Sequence, residues 1–356
     1  MKVDMRFIIL LNAILLLPCL VPLSFGRDPA LWPFSADDPW NRSIGSEVRY
    51  AEITGAPTLT PISKGSFLNC LKFSIPVFIA KEGDPVREVC TWYGGKGGQF
   101  LGSIRIPDDA KPDYGSDKHL CVIDERHGSV VEMGLVERQT SGNYSSWAAF
   151  KNDLKGSAFY PNIHGVRCHG GSALGGLIRK GELKNGIPHA LALATDPKNL
   201  NSKAPGGKTY IWPACSSDYE FPGSLWPEGK KPFEDWYGKS SNIYIGSLLI
   251  IPADVDISKI GIGDSGPTYQ IAKALQDYGA YVVDMAGAPL AFYLEPAASS
   301  ELGDAETLKT HGGGSNLELD KLLPHIRVVT NSSPESIGGG GVPRRPAAPP
   351  FDVEFK

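Results

Sequence analysis

Between Arg167 and His189 the chain sets two arginines (Arg167, Arg179), two histidines (His169, His189) and a carboxylate (Glu182) among glycines and short apolar pairs. Guanidinium groups hold anionic or polyhydroxylated ligands, while imidazole and carboxylate move protons near neutral pH. Ala190-Leu191-Ala192-Leu193 follows and reads as half-buried strand rather than solvated loop. Period-two alternation puts His189 on one face with Leu191 and Leu193, and puts Arg167 and His169 on a face opposite Cys168. Gly170, Gly171, Gly175 and Gly176 remove side-chain bulk where a ligand or a second backbone approaches. With no GK[ST] following, this is not a phosphate loop. These five charged or titratable residues are expected to line one cleft.

A second polar group, Asp117, His119, Asp124, Glu125, His127 and Glu132, lies upstream. Asp124-Glu125-Arg126-His127-Gly128 reads as the turn of a hairpin joining CVI to SVVEM. His119 and Glu132 stay open as candidates. In YIWPA, Tyr210 and Trp212 share one face of a short strand, where a tyrosine beside an Arg/His pair could protonate a leaving group. The Gly/Pro/Lys-rich connection 220–242 carries Trp226, Trp236 and Tyr237, which suit stacking on sugar rings.

The elements that must position these groups are mostly strands. Runs such as His119–Asp124, Val130–Val136, His189–Thr195, Ser247–Ile251, Ala280–Asp284 and Leu290–Leu294 are short, rich in β-branched and aromatic residues, and bounded by Gly, Pro, Asp and Asn. No strand alternates with long helix. The pattern predicts an all-β fold, an antiparallel β-sandwich of jelly-roll type over residues 27–298. One covering helix is signalled at Thr268–Tyr278, with Pro267 in its first turn, an Ile271/Ala274/Leu275/Tyr278 stripe and Gly279 as its stop. Residues 299–356, with GGGS and SIGGGGVPRRPAAPP, read as a polar, partly disordered tail.

Lys2 and Arg6, the apolar run FIILLNAILLLPCLVPL and the small-residue exit to Gly26 predict a secretory signal peptide over residues 1–26. Secretion agrees with N-glycosylation triplets at Asn41, Asn143 and Asn331. The 356 residues carry 35 Lys and Arg against 39 Asp and Glu. That mild acidity argues against a nucleic-acid partner, which calls for a basic face. Five cysteines follow the leader, allowing at most two disulfides. Cys70 with Cys90 is the easiest pairing, on neighbouring predicted strands. No CxxC, HExxH or Cys/His cluster points to zinc, so neither metal nor cofactor is expected, and the protein is read as a monomer without a membrane segment after cleavage.

The order DKHLCVID, VVEMG, GGLIRKGEL, IPHALAL, YIWPA, GSLLIIP and ALQDYGAYVVD resembles a set of secreted, mostly bacterial proteins of unestablished activity, over roughly residues 32–294. A second likeness is to jelly-roll polysaccharide lyases of the alginate-lyase type, which carry an R-x-E-L strand with a separate His and Tyr. Here Arg179 and Glu182 are separated by two residues and no QIH follows, so His189 and Tyr210 take the proton-transfer roles by analogy.

The resulting expectation is a secreted protein acting on a glycan. As a lyase on an acidic polysaccharide, Arg167 and Arg179 would neutralise a uronate carboxylate, His189 or His169 would take the α-proton, and Tyr210 would protonate the departing oxygen. As a glycoside hydrolase it would use Glu182 with Asp124 or Glu132. As a non-catalytic carbohydrate-binding protein it would use Trp226 and Trp236, with His119 as a further substrate contact.

Overall fold

The computed structural model describes residues 26–91, 102–159, 165–218, 236–302 and 318–352. Strand β11 (Leu191–Thr195) lies in the middle of a seven-stranded sheet ordered β1-β15-β12-β13-β11-β14-β2. It is flanked by β13 (Ala280–Met285) and β14 (Ala291–Tyr293), and the sheet's other strands are β1 (Tyr50–Ala51), β2 (Phe67–Asn69), β12 (Leu248–Ile250) and β15 (Arg327–Val329). Both faces of this sheet are buried, which is why LALAT and AYVVD are apolar at every position up to the strand end. Leu191, Leu193, Ala280 and Val282 face one core, where Ile271, Ala272, Ala274 and Leu275 of α2 (Pro267–Asp277) cover them. Ala192, Ala194, Tyr281 and Val283 face the other. The small alanines there leave room for Trp40, which stacks on Phe159 and meets Tyr281 edge-on.

That second core is closed by a four-stranded sheet, β10-β7-β6-β3. Its strands are β3 (Val77–Ala80), β6 (Leu120–Asp124), β7 (Ser129–Gly134) and β10 (Ala148–Asp153). Alternation divides β6 and β7 cleanly. Cys121, Ile123 and Val130 face the central sheet, whereas Leu120, Val122, Val131 and Met133 face outward onto a third sheet. The third sheet, β5-β4-β9-β8, contributes Val89 and Tyr144 from β4 (Val86–Thr91) and β9 (Tyr144–Ser146). Its other strands are β5 (Gly102–Arg105) and β8 (Glu137–Arg138). The layers thus run helix, sheet, sheet, sheet.

The protein is strand-rich with few helices, as expected, and α2 begins and ends within a residue of the predicted span. Gly279, at φ +81, provides the left-handed turn into β13. The β6–β7 hairpin forms around Asp124–Gly128 with Asp124 opposite Ser129.

Three expectations are corrected. The sheets are mixed rather than antiparallel, since β11/β13, β14/β2, β3/β6 and β4/β9 pair in parallel. The segment beyond residue 298 is not simply a tail. β15 runs inside the central sheet between β1 and β12, and Leu319 and Leu322 are fully buried. A disulfide joining Cys70 and Cys90 is absent, as is any other among the five cysteines of the described residues. Cys70 ends β2 in the central sheet while Cys90 lies exposed on β4 in the third, so the two strands are not neighbours.

The glycosylation triplets also differ in setting. Asn41 is only 2% exposed, and its amide donates to Pro33 O and Ser35 O while accepting from the Trp32 indole, which leaves no outward position for a glycan. The Asn331 side chain clamps Glu47, Gly339 and Arg49 backbone groups. Asn143 lies on the outer sheet, bonded to Glu88 at the surface. Among the described residues no helix is long and apolar enough to cross a membrane.

Candidate functional site

The parallel strands β11 and β13 end side by side, and beyond their ends the chain opens into a cavity of about 930 Å3. Its floor is Asp284, Met285, Tyr293 and Asn69 from the central sheet. Its opposite wall is Gly134 and Leu135 after β7 and Asp117 and His119 before β6. The β11/β13 register shifts between Leu193 and Ala194, so that Val282 and Asp284 pair while Val283 is passed over. This extra residue breaks strict alternation just before Asp284, a device common beside functional sites.

Three groups meet at the floor. Cys168 Sγ and one carboxylate oxygen each of Asp218 and Asp284 lie within 4.8 Å of one another. The Tyr237 hydroxyl donates to Asp218 Oδ2 at 3.3 Å and sits 3.8 Å from the thiol. Asp284 accepts from the Met285 amide at 2.9 Å and, at a longer 3.5 Å, from Arg167 Nη1. Arg167 is 2% exposed and its guanidinium lies 3.5 Å from the Tyr293 ring centroid, so the aromatic face shares its charge.

Burial, then the charge of Asp218, pushes Asp284 up to about 7, with Arg167 pulling the other way. Burial also raises Asp218, against hydrogen bonds from Cys168 and Tyr237 that favour its anion. Burial and these two carboxylates push the Cys168 thiol well up, so it stays protonated. The acids titrate as a coupled pair that keeps a proton into the neutral range.

His119, 5% exposed, forms part of the opposite wall. Burial and then the Arg167 charge lower it to about 3, so the ring is neutral. It bonds to the Val166 backbone and leaves Nδ1 without a hydrogen-bond partner. Asp113 organises this wall: its carboxylate accepts from the amides of Phe73, Gly115 and His119 at 2.7, 2.6 and 2.7 Å. Phe73, Lys118 and Leu135 all have positive φ, a conformation that costs side-chain-bearing residues about 1–3 kcal/mol each. The clamped bonds Leu135 N to Asp117 O and Val136 N to Lys118 O hold two of them in place. Trp236 stands at the mouth, 50% exposed, and Trp147 and Lys198 also line the space.

The expected single cleft divides into three places. His119 and Trp236 line the cavity just described, and Arg167 lies buried behind its floor, bonded to Asp284. Arg179, Glu182 and His189 form a separate buried cluster around α1 (Glu182–Asn185). There Arg179 Nε donates to Glu295 at 2.9 Å and Nη1 to Ala30 O at 2.5 Å. Glu182 accepts from the Arg179 amide at 2.7 Å and lies 3.2 Å from His189 Nε2, while His189 Nδ1–H donates to Ala190 O. Burial disfavours the His189 cation, but the Glu182 carboxylate outweighs it and the net shift is upward. None of the three lines the cavity.

His169 is packed instead against Phe159 and Trp40, with ring centroids 5.2 and 6.4 Å away. The glycines beside it make room for the protein itself: a Cβ on Gly175 would lie 2.0 Å from the Trp40 indole nitrogen. Tyr210 sits at an isolated bridge to Ile245 with Lys208 over its ring, away from the cavity. Glu132 is fully buried and caps the turn at Ser172 and Ala173, and Asp124 bonds His127 in the hairpin. Trp226 lies outside the described residues.

Sequence reasoning passed over Asp113, Asp218 and Asp284. The visible signal for Asp284 is a carboxylate ending the otherwise apolar run AYVVD, which a buried strand tolerates only at its edge or at a site. Nothing local marks Asp218. Comparison with family models, curated proteins and solved structures gave no match for this chain.

Proposed function

We propose that this is a secreted glycan-cleaving hydrolase whose reaction centre is the Asp218–Asp284 pair. The observation that carries the reading is a half-buried carboxylate pair, its oxygens within 4.8 Å of each other, on the floor of a large cavity with tryptophan at its mouth. Acids whose oxygens lie within 4.8 Å are too close for the roughly 6.5–9.5 Å that inverting enzymes leave for a water, which favours a retaining mechanism. Asp284, which keeps its proton towards neutral pH, donates it to the glycosidic oxygen as the bond to the anomeric carbon breaks. Asp218, whose anion is supported by Tyr237 and Cys168, bonds to that carbon and forms a glycosyl ester. Water then displaces Asp218 while Asp284 takes the water's proton, which returns both groups to their starting states.

The expectation of a lyase on an acidic chain fares less well. Arg179 and His189 are committed to Glu295 and Glu182, and an anionic sugar would enter a space lined by four aspartates. The half-exposed Trp236 supports binding without cleavage as a second reading.

The test is a panel of neutral, amino and uronate polysaccharides assayed for new reducing ends and for ultraviolet-absorbing unsaturated products. Reducing ends that retain the anomeric configuration, lost in Asp218→Asn, are expected. Unsaturated products would restore the lyase reading, and tight binding with no shortening of any chain would leave the binding reading.

A further inference from the structure

We infer that the cavity selects a glycan bearing a free ammonium group beside the bound linkage, that is, an unacylated amino sugar. The inference rests on the cavity being the glycan site, and it names the class of sugar that site takes.

The first support is charge. Four of the lining side chains are aspartates, Asp117, Asp196, Asp218 and Asp284; with Asp284 keeping its proton towards neutral pH, three carboxylates face Lys198, the one lysine or arginine lining it among the described residues. Arg167 does not offset them at the surface of the space, because it is buried, set on Tyr293 and directed to Asp284. A neutral sugar could satisfy these oxygens with hydroxyls, but it would leave the excess negative charge in a partly desolvated space. A uronate would add to it. An ammonium both donates hydrogen bonds and cancels the charge.

The second support is the opposite wall. His119 lines it as a buried, neutral ring, so it brings no positive charge to face the carboxylate floor, and the ligand is left to supply it. The third support is size and composition: the cavity accommodates more than one sugar ring, and its lining includes Trp147 and Trp236, a residue type suited to both a pyranose and a cation.

Divalent metal is the competing cation. The Cys168 thiol is the third member of the acidic group, and the Arg167 guanidinium already stands beside Asp284, so that carboxylate is partly committed to a cation. An ammonium adds to that environment through hydrogen bonds and needs no thiolate ligand.

The experiment compares oligomers of equal length by calorimetry and by reducing-end release: fully deacetylated glucosamine, its N-acetylated counterpart, neutral glucose and uronate. The full chain after the leader is used, with and without chelator. We expect the deacetylated oligomer to bind about tenfold or more tightly than the N-acetylated and neutral ones. Asp117→Asn, an exposed change at the rim, should shrink that preference several-fold, and an unchanged preference counts against the inference. Equal or tighter binding of the N-acetylated or neutral oligomer overturns the inference, even if that oligomer is cleaved and the hydrolase reading survives. Preference for the amine with no cleavage of any oligomer supports the inference and ends the hydrolase reading. A preference abolished by chelator overturns the inference in favour of a metal, and binding to none of the oligomers ends both.

Discussion

Two regions of this molecule bury charged side chains, and they use them in opposite ways. Around α1, Arg179 meets Glu295 and His189 meets Glu182, each cation with its own anion and with backbone groups filling the remaining valences. At the ends of β11 and β13, Asp218 and Asp284 are set against each other with one guanidinium, Arg167, 3.5 Å from Asp284, and open volume lies above them. The first arrangement is closed and balanced, and serves to seat a short helix against the Ala30 segment. The second carries uncompensated acid and unfilled hydrogen-bonding capacity, which is the condition that moves a pKa and draws a ligand. Density of charged residues along the chain pointed to the first region, whereas imbalance in space marks the second.

The largest expected effect separates the two regions by activity. Asp284→Asn should lower kcat/KM for the cleaved glycan by about 10²–10⁴, while chemical denaturation shows a stability change within about 1 kcal/mol. Wild-type activity should fall as pH rises through about 7, because the reactive form needs the proton that Asp284 holds to that point. A rate unchanged by the substitution would remove the pair from the chemistry and break the contrast.

The converse substitution is Arg179→Ala. It leaves Glu295 and the Ala30 carbonyl buried without their cation and should cost about 3–5 kcal/mol in denaturant unfolding. The protein that remains folded should bind glycan as the wild type does. Loss of glycan affinity in excess of the unfolded fraction would join the two regions after all.

The smallest effect is a pH signature. His189 has a folded pKa above its ordinary 6.5, so the stability that it adds is fully present below pH 6.5 and is lost as pH rises through the higher folded value. His189→Gln should therefore destabilise by on the order of 1 kcal/mol at pH 5.5 and by less at pH 9, measured by parallel denaturation curves. A difference that grows with pH would mean that the histidine is held neutral and that the Glu182 contact is an ordinary hydrogen bond.

Much of the local structure was legible along the chain. Pro267, the apolar stripe through Leu275 and Gly279 specify α2 because a first-turn proline, the helical period and a left-handed stop all agree. The β6–β7 hairpin follows from alternating runs around a polar turn. The parallel pairings were not legible, because β11 and β13 are separated by some 85 residues without the strand–helix alternation that announces them. β15 was hidden for a related reason: Arg327–Val329 is too short to carry a period, and becomes strand because β1 and β12 flank it.

The candidate site shows the same division. The sequence by itself determined which residues are unlikely companions for a buried core: Arg167, Arg179, Glu182 and His189 are charged or titratable groups in apolar surroundings, and each does find a buried partner. It also determined that Asp284 closes an apolar strand. Only the tertiary structure decided which of these share a space. Cys168, Asp218 and Asp284 lie on segments far apart in the chain, and their meeting depends on the ends of two parallel strands, a register shift and a turn held by Asp113. Charge balance is a sum over neighbours in space, and a linear chain does not contain that sum.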